Sequence, residues 1–391
     1  KGLTMKTRRL FYEDVYIREF EAIVLDCEER DGRYYTILNE TAFYPEGGGQ
    51  PADKGTLDGE NVIDVQYVDG ELCHITAKPF EKGTQIVGRI NWEMRFDLMQ
   101  QHSGEHIVSG MIHDKYGYEN VGFHMGEEVV TIDLSGVLTW QQVLEIESKV
   151  NKYIWMNQQV NIFYPDERQR TLISYRSKKE LTGEIRLVEF PGADLCACCG
   201  LHVSHASQIG LVKLLSCKKF REGVRIEMLS GKRALDYLSG STEQNSQIAI
   251  SLSVKENETK EAVQRLLDEV YALKGQLAQE KQKSFQTKAT SFKGKGNILL
   301  IEDIMQAAEI RKCTDTILNT CGGIAALFAG NDTDGYKYAI GERNGDIREL
   351  VKKVNKELNG RGGGKPFFAQ GFVKADREQI ETFFCDFVSE V

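Results

Sequence analysis

His102-Ser103-Gly104-Glu105-His106 is the stretch on which the chain turns, and Cys196-Ala197-Cys198-Cys199-Gly200-Leu201-His202, about ninety residues later, completes it. On a helix, residues i and i+4 lie on one face a turn apart. Two imidazoles so spaced can share one metal ion. The second stretch adds sulfur and a third imidazole, and nitrogen with sulfur is the donor set zinc prefers. Either the His-x₃-His or the Cys198/His202 pair alone is a weak signal; both in one folded unit predict a split metal site. Cys196 and Cys199 remain alternative sulfur ligands, the bland alternative being that these cysteines are small buried hydrophobes. His124 and His205 are expected outside the ligand set, and Asp194 is expected either to orient a ligand histidine or, as loop carboxylates more often are, to be solvated.

Working outward, 391 residues are too many for one ordinary core and predict two to four domains. No apolar run approaches the ~20 residues that cross a bilayer, and no secretory signal opens the chain. The expectation is a cytoplasmic protein without a membrane partner. Lys1 to Thr4 precede Met5 and carry no structural argument. Nine cysteines are an odd number, with three crowded into 196–199. That suits a metal site in a reducing compartment better than a disulfide framework. A net charge of −9 argues against a generally sticky nucleic-acid binder but leaves room for a local basic footprint.

The fold class read from the pattern is α+β, in several domains. Residues 5–90 alternate in short β-branched runs (Phe20–Leu25, Tyr34–Leu38, Val62–Val68, Gln85–Ile90) separated by Asp31-Gly32, Asp58-Gly59 and Asp69-Gly70. These are hairpin-type turns and predict a small N-terminal β-barrel or sandwich. Residues 91–240 mix a long helix from Trp92 to Tyr116, a second near 139–156 and a largely antiparallel set of strands, an α+β core with the cysteine knot in a loop. Residues 241–292 turn polar and charged. There Val263, Leu266, Val270, Leu273 and Leu277 step by three and four, predicting a helical arm or coiled coil with a dimer seam. Residues 293–391 read as a small α/β domain, with Gly360 to Pro366 as a glycine-rich loop between its last two helices.

Two glycine clusters carry the remaining signal. Gly47-Gly48-Gly49, in Phe43-Tyr44-Pro45-Glu46-Gly47-Gly48-Gly49-Gln50-Pro51, gives up chain entropy that is repaid by positive φ or by a ligand close to the backbone. The basic residues Lys352, Lys353, Lys356, Arg361, Lys365, Lys374 and Arg377 outnumber Glu357 and Asp376 around Gly362-Gly363-Gly364, a candidate phosphate footprint.

Phe43–Gly55, Met99–His106 and Cys198–His202 with Val203-Ser204 together resemble the editing domain of alanyl-tRNA synthetases. A chain opening on that barrel, with no aminoacylation domain ahead of it, is similar to the free-standing AlaX-type editing proteins. Gly362–Pro366 with Ala369-Gln370-Gly371 resembles the DHH-associated domain that closes those synthetases, so the chain looks like the long form. The resemblance implies one Zn²⁺ per chain on His102, His106, Cys198 and His202, with the Gly47–Gly49 loop and Gln50 beside the aminoacyl group. It also implies hydrolysis of tRNA(Ala) mischarged with serine or glycine. Two positions depart from the family: Ser103 stands where Thr is frequent, and Cys198-Cys199-Gly200-Leu201-His202 replaces Cys-Gly-Gly-Thr-His.

For the chemistry, backbone N–H groups of Gly47–Gly49 are expected to serve an oxyanion, Ser103 to meet a substrate hydroxyl, and Glu105 to act as base or lie on the helix surface. Lys352, Lys353, Arg361, Gly362–Gly364 and Lys365 are the expected tRNA contacts, and a homodimer through the arm and tail domain is expected. Four protein ligands leave a zinc no open position, which keeps a zinc-stabilised tRNA-binding protein without catalysis as the competing reading.

Overall fold

Three Asp-Gly pairs shape the first layer. Asp31-Gly32, Asp58-Gly59 and Asp69-Gly70 all take positive φ at both residues, the geometry of two-residue hairpin turns whose twist matches the strands they join. In the computed structural model, which describes residues 6–177 and 183–388, they connect Glu19–Arg30 to Arg33–Leu38, Gly55–Leu57 to Glu60–Val68, and Glu60–Val68 to Glu71–Thr76. With Gln85–Ile90 these strands pair antiparallel in a closed circuit, a six-stranded barrel. Phe20, Val24, Leu38, Phe43, Leu57, Val65 and Ile86 fill it. Lys1 to Thr4 lie outside the described residues.

Two compact units divide the chain, Lys1–Gln247 and Ile248–Val391. In the first, the histidine helix Trp92–Tyr116 follows the barrel. The Asn91 side chain accepts the Met94 N–H at 3.2 Å, and Gly117 ends the helix at φ 69°. From Leu98 to Gly110 it is buried on every side. The antiparallel strands Val212–Phe220, Gly223–Ser230, Val130–Leu134 and Asn120–Met125 form one sheet in that order. Asn161–Phe163, Leu187–Phe190 and Asp194–Ala197 form another. Barrel, histidine helix and the Thr139-capped helix Trp140–Trp155 contribute to one hydrophobic cluster. A buried ion pair crosses it. Arg95 Nε donates to Asp53 Oδ1 at 2.8 Å, Nη2 to Asp53 Oδ2 and to the Ala42 carbonyl, and Nη1 to the Val15 carbonyl. Asp53 in turn accepts the Tyr44 N–H at 2.6 Å, so the charge pair sets the start of the glycine turn relative to the helix.

The polar stretch forms the helices Gly231–Leu252 and Thr259–Ser291, broken at Ser253 with φ 54°. Val263, Leu266, Val270, Leu273 and Leu277 lie 40–56 % exposed. In the second unit the strands run in the order Gly296–Glu302, Gly322–Asn331, Gly335–Gly341, Phe368–Val373, Gly360–Lys365; the first pair is parallel and the rest antiparallel. Ala307–Cys321, Arg348–Glu357 and Arg377–Val388 are its helices. The glycine-rich segment expected as a loop is therefore corrected to a strand. Gly360–Lys365 is the edge of the sheet, hydrogen-bonded to Phe368–Val373. Glycine runs carry no strand signal in sequence, yet here the position demands one: a Cβ on Gly362 would strike the Tyr338 hydroxyl and lie 2.6 Å from Gly371 Cα.

Candidate metal centre

The histidine helix presents His102 and His106 one turn apart, and the Leu187–Phe190/Asp194–Ala197 ladder carries the chain to Cys198. There the Cys198 N–H donates to the Arg186 carbonyl at 3.1 Å. His102, His106, Cys198 and His202 then face one another, every donor atom within 4.8 Å of the others. Cys198 Sγ lies 3.5 Å from His102 Nε2 and 3.5 Å from His202 Nε2. With bonds of about 2.3 Å to sulfur and 2.05 Å to nitrogen, a tetrahedral zinc requires an S···N edge of roughly 3.6 Å. The donor set and its spacing fit that metal.

The outer faces of the imidazoles are also held. His102 Nδ1–H donates to Gln50 Oε1 at 3.2 Å and His106 Nδ1–H to Asp194 Oδ2 at 2.9 Å. His202 Nδ1 pairs with Ser103 Oγ at 3.1 Å. Each ring is thus fixed with Nε2 turned to the sulfur, as outer partners fix metal-binding histidines. Among the three crowded cysteines, charge separates the roles. Burial pushes the Cys198 thiol up, but His102 and His106 outweigh it and hold it well below the usual range. Cys196 is raised by burial and then by Asp194, and Cys199 by burial and then by Cys198. The thiolate belongs on Cys198. Cys196 Sγ sits instead in a second group with His106 and Asp194.

Other predicted residues fall into place around this cluster. The Gly47–Gln50 turn closes on itself, Gly47 N–H to Gln50 O at 3.1 Å and Gln50 N–H to Gly47 O at 3.0 Å. Gly48 and Gly49 take φ 62° and 84°, and a Cβ on either would lie 2.9 Å from Cys199 Sγ or 2.7 Å from Phe123. The Gly47 N–H is therefore spent within the turn. Gln50 is fully buried. Its Oε1 also accepts the Leu201 N–H at 2.9 Å, while its Nε2 finds no partner.

Ser103 and Glu105 lie deeper than a helix-surface reading allows. The Ser103 hydroxyl is fully buried and accepts the Val203 N–H at 3.2 Å while it holds His202. It holds the His202 imidazole and the backbone of the loop that carries it. Glu105 is not helix surface: it is 2 % exposed, and its Oε1 accepts from Ser109 Oγ and Asn120 Nδ2, both at 2.5 Å. It braces the helix to the strand Asn120–Met125. His124 is exposed, and His205 Nδ1 lies 3.1 Å from Ser204 Oγ.

Several partners went unread in sequence. Arg176 grips Asp194 through both carboxylate oxygens at 2.7 and 3.0 Å, fixing the carboxylate that fixes His106. Tyr12 and Tyr44 hydroxyls donate to the Cys199 carbonyl at 2.8 and 3.2 Å. In the second unit, Gly363, Gly364 and Lys365 line a groove of about 440 Å³ with Arg311 and Lys312. Arg361 lines a neighbouring one with Lys337. Lys352 and Lys353 are exposed on the helix Arg348–Glu357, Lys352 paired with Glu349 at 2.7 Å, and neither lines these grooves. Arg311, Lys312 and Lys337 lay outside the basic run that drew attention to the tail. No helix among the described residues is long and apolar enough to cross a membrane.

Three family models match parts of the chain. Residues 6–94 match the family described as tRNA synthetases class II (A), residues 185–227 the threonyl and alanyl tRNA synthetase second additional domain, and residues 293–391 the DHHA1 domain. The chain is 30% identical to the alanyl-tRNA editing protein AlaX-L of Pyrococcus horikoshii, covering 95% of this chain and 96% of that protein. It is 27% identical to the alanyl-tRNA editing protein Aarsd1-A of Xenopus laevis, covering 97% of each. Alanine–tRNA ligase of Ignicoccus hospitalis is 28% identical over 96% of this chain, which spans 42% of that enzyme. Among solved structures, the C-Ala domain of Aquifex aeolicus alanyl-tRNA synthetase aligns with 22% identity over 22% of this chain and 83% of that one, at a TM-score of 0.20.

Proposed function

The chain belongs to the family of alanyl-tRNA editing proteins, and on that premise we propose that it hydrolyses, in trans, the ester of mischarged tRNA(Ala), with serine and glycine as the amino acids removed. The observation that carries this reading is the juxtaposition of the His₃Cys cluster with the Gly47–Gln50 turn, bridged by Gln50 Oε1 between His102 and Leu201.

Ester hydrolysis needs a water aimed at the carbonyl, donors for the oxyanion and a bound leaving ribose. Held by His102, His106, Cys198 and His202, one zinc would supply a positive charge that orders these side chains and polarises the amino acid beside them. The N–H groups of Gly48 and Gly49 are the oxyanion donors, set in place by the turn before any substrate arrives. Gln50 Nε2, buried and unpartnered, is the donor for a serine hydroxyl. Alanine would leave that amide orphaned, at a penalty of roughly 1–3 kcal/mol, or about 5- to 150-fold in discrimination. Glycine is distinguished from alanine by size alone. Ser103, Asp194 and Arg176 position the ligand imidazoles, and Glu105 serves as a brace. In the tail unit, Arg361, Gly362–Gly364 and Lys365, joined by Arg311 and Lys312, contact the tRNA backbone, with Lys352 and Lys353 further out. The exposed seam Val263–Leu277 pairs two copies of the chain.

A second reading, a zinc-stabilised tRNA-binding protein without catalysis, is favoured by the closed set of four donors. One experiment separates the two. tRNA(Ala) charged with serine, glycine or alanine is incubated with the full chain, zinc-loaded and after chelation. Release of serine and glycine well above the spontaneous rate, with alanine spared, is expected. Release no faster than in buffer for all three overturns the deacylase reading; release that survives complete chelation removes zinc from it.

A further inference from the structure

Beyond the donor cluster, the rim around Cys199 is built from tyrosine and arginine. Tyr12 and Tyr44 pin the Cys199 carbonyl. The Arg186 guanidinium lies 5.0 Å from the Tyr12 ring centroid while its Nη1 donates to the Cys198 and Gly200 carbonyls, both at 2.9 Å. These contacts hold the metal-ligand loop. Two further tyrosines stand close by and hold nothing of the kind: Tyr67 on the strand Glu60–Val68 and Tyr164 just past Asn161–Phe163, 46 and 47 % exposed. The strand of Tyr67 meets the glycine turn, the Val65 carbonyl accepting the Glu46 N–H at 3.2 Å, and Tyr164 follows Phe163, which pairs with Leu187 beside Arg186. Arg9 lies 5.6 Å from the Tyr67 ring centroid. Its neighbour Arg8 is paired with Glu13 and Glu40, whereas Arg9 has no carboxylate partner among the described residues.

We propose that Tyr67 and Tyr164, with the Arg9 guanidinium, form a stacking site for the unpaired terminal nucleotides of the RNA whose ester is cleaved, a proposal that rests on the function given above. The chemistry selects that ligand. An exposed phenol offers a flat face to any base, so stacking tolerates sequence and suits a single-stranded end. A guanidinium beside it offers a cation–π partner and a phosphate contact. A neutral peptide segment would use the rings but leave Arg9 without an anion, whereas each linkage of an RNA end brings one. The platform also stands on strands that adjoin the glycine turn and Arg186, and an amino acid seated against Cys198 and the Gly48–Gly49 turn would be followed at once by the ribose and base to which it is joined.

The test uses the full zinc-loaded chain and a short single-stranded RNA ending in C-C-A, with 2-aminopurine in place of the last base. Stacking on tyrosine is read as fluorescence quenching on titration. Tyr67→Ala and Tyr164→Ala should each weaken binding roughly tenfold, the effect of losing one stacked base, while Tyr67→Phe and Tyr164→Phe bind as the parent does. In deacylation of mischarged tRNA(Ala), the alanine variants should raise KM by a similar factor with kcat within about twofold, as expected for binding shared by ground and transition states. Unchanged quenching and KM in the double alanine variant, or phenylalanine as damaging as alanine, overturns the proposal. If the parent chain hydrolyses no charged tRNA, the proposed function falls, and the quenching titration still decides whether the rings stack on an RNA end.

Discussion

Arg95→Met tests how the barrel is locked to the histidine helix. Among the described residues Arg95 is the largest fully buried side chain, and its partner Asp53 is 1 % exposed. Methionine keeps most of the volume but strands the Asp53 carboxylate, whose remaining hydrogen bond is the Tyr44 N–H at 2.6 Å. It also leaves the Val15 and Ala42 carbonyls without their donor. Breaking a buried pair from one side costs about 3–5 kcal/mol, and the orphaned carbonyls place this case near the upper end. For a unit of this size each kcal/mol moves Tm by about 2–4 °C, so a fall of roughly 10 °C is expected in the transition of the first unit. Asp53→Leu alone should cost as much, because it strands the guanidinium. The double variant should cost less than either sum implies, by at least about 2 kcal/mol, since no charge is left alone. Calorimetry of the four proteins closes the cycle. A Tm within about 2 °C of the parent for Arg95→Met, or strictly additive single effects, would refute the reasoning.

Four further outcomes are expected. Cys198→Ala should lose bound zinc and deacylation together, which metal analysis and the ester assay read; full zinc content in the variant removes Cys198 from the ligand set. Glu105→Gln should keep its metal and stay within a few-fold of the parent rate, having only a brace to weaken, and a drop of a hundredfold or more would return Glu105 to the chemistry. Leu266→Glu with Leu273→Glu should halve the mass seen by light scattering, and a monomeric parent at micromolar concentration would end the seam proposal. His74 is fully buried between the Thr41 hydroxyl and the Thr36 carbonyl at 2.7 and 3.1 Å, and burial holds its pKa down to about 4 against 6.5 ordinarily. The unfolded chain takes up that proton first, so its contribution, present above pH 6.5, is lost as pH falls from 6.5 to 4, by up to about 3 kcal/mol; denaturant titrations at pH 7 and 4.5 should show the loss in the parent and a flatter profile in His74→Gln.

What could be read from sequence was local. The helix Trp92–Tyr116 and the three Asp-Gly hairpins were legible, because periodicity and turns depend on residues a few positions apart. The helix was legible as one although it is buried all round from Leu98 to Gly110. Contacts across the fold were not legible. Gln50 reaches His102 over 52 residues and Arg95 reaches Asp53 over 42, and no spacing rule links them. The surroundings of Ser103 and Glu105 were hidden for the same reason: Val203, His202 and Asn120 meet them in the fold, and sequence does not place those residues beside them. Gly360–Lys365 looked like a loop because glycine reports the absence of a side chain, not the crowding by Tyr338 and Gly371 that excludes one.

The His₃Cys cluster is divided between a helix that forms from neighbours and a loop that must travel to it. His102 and Cys198 are 96 residues apart. Closing a loop of that length costs about 2 kcal/mol more entropy than closing one of ten residues, and contacts so distant in sequence are characteristic of slow steps. During synthesis the paired histidines emerge and coil long before the sulfur exists to meet them. The cluster is thus a late event in the life of the chain, and a molecule halted before it carries a half-made ligand pair and an unguarded thiol.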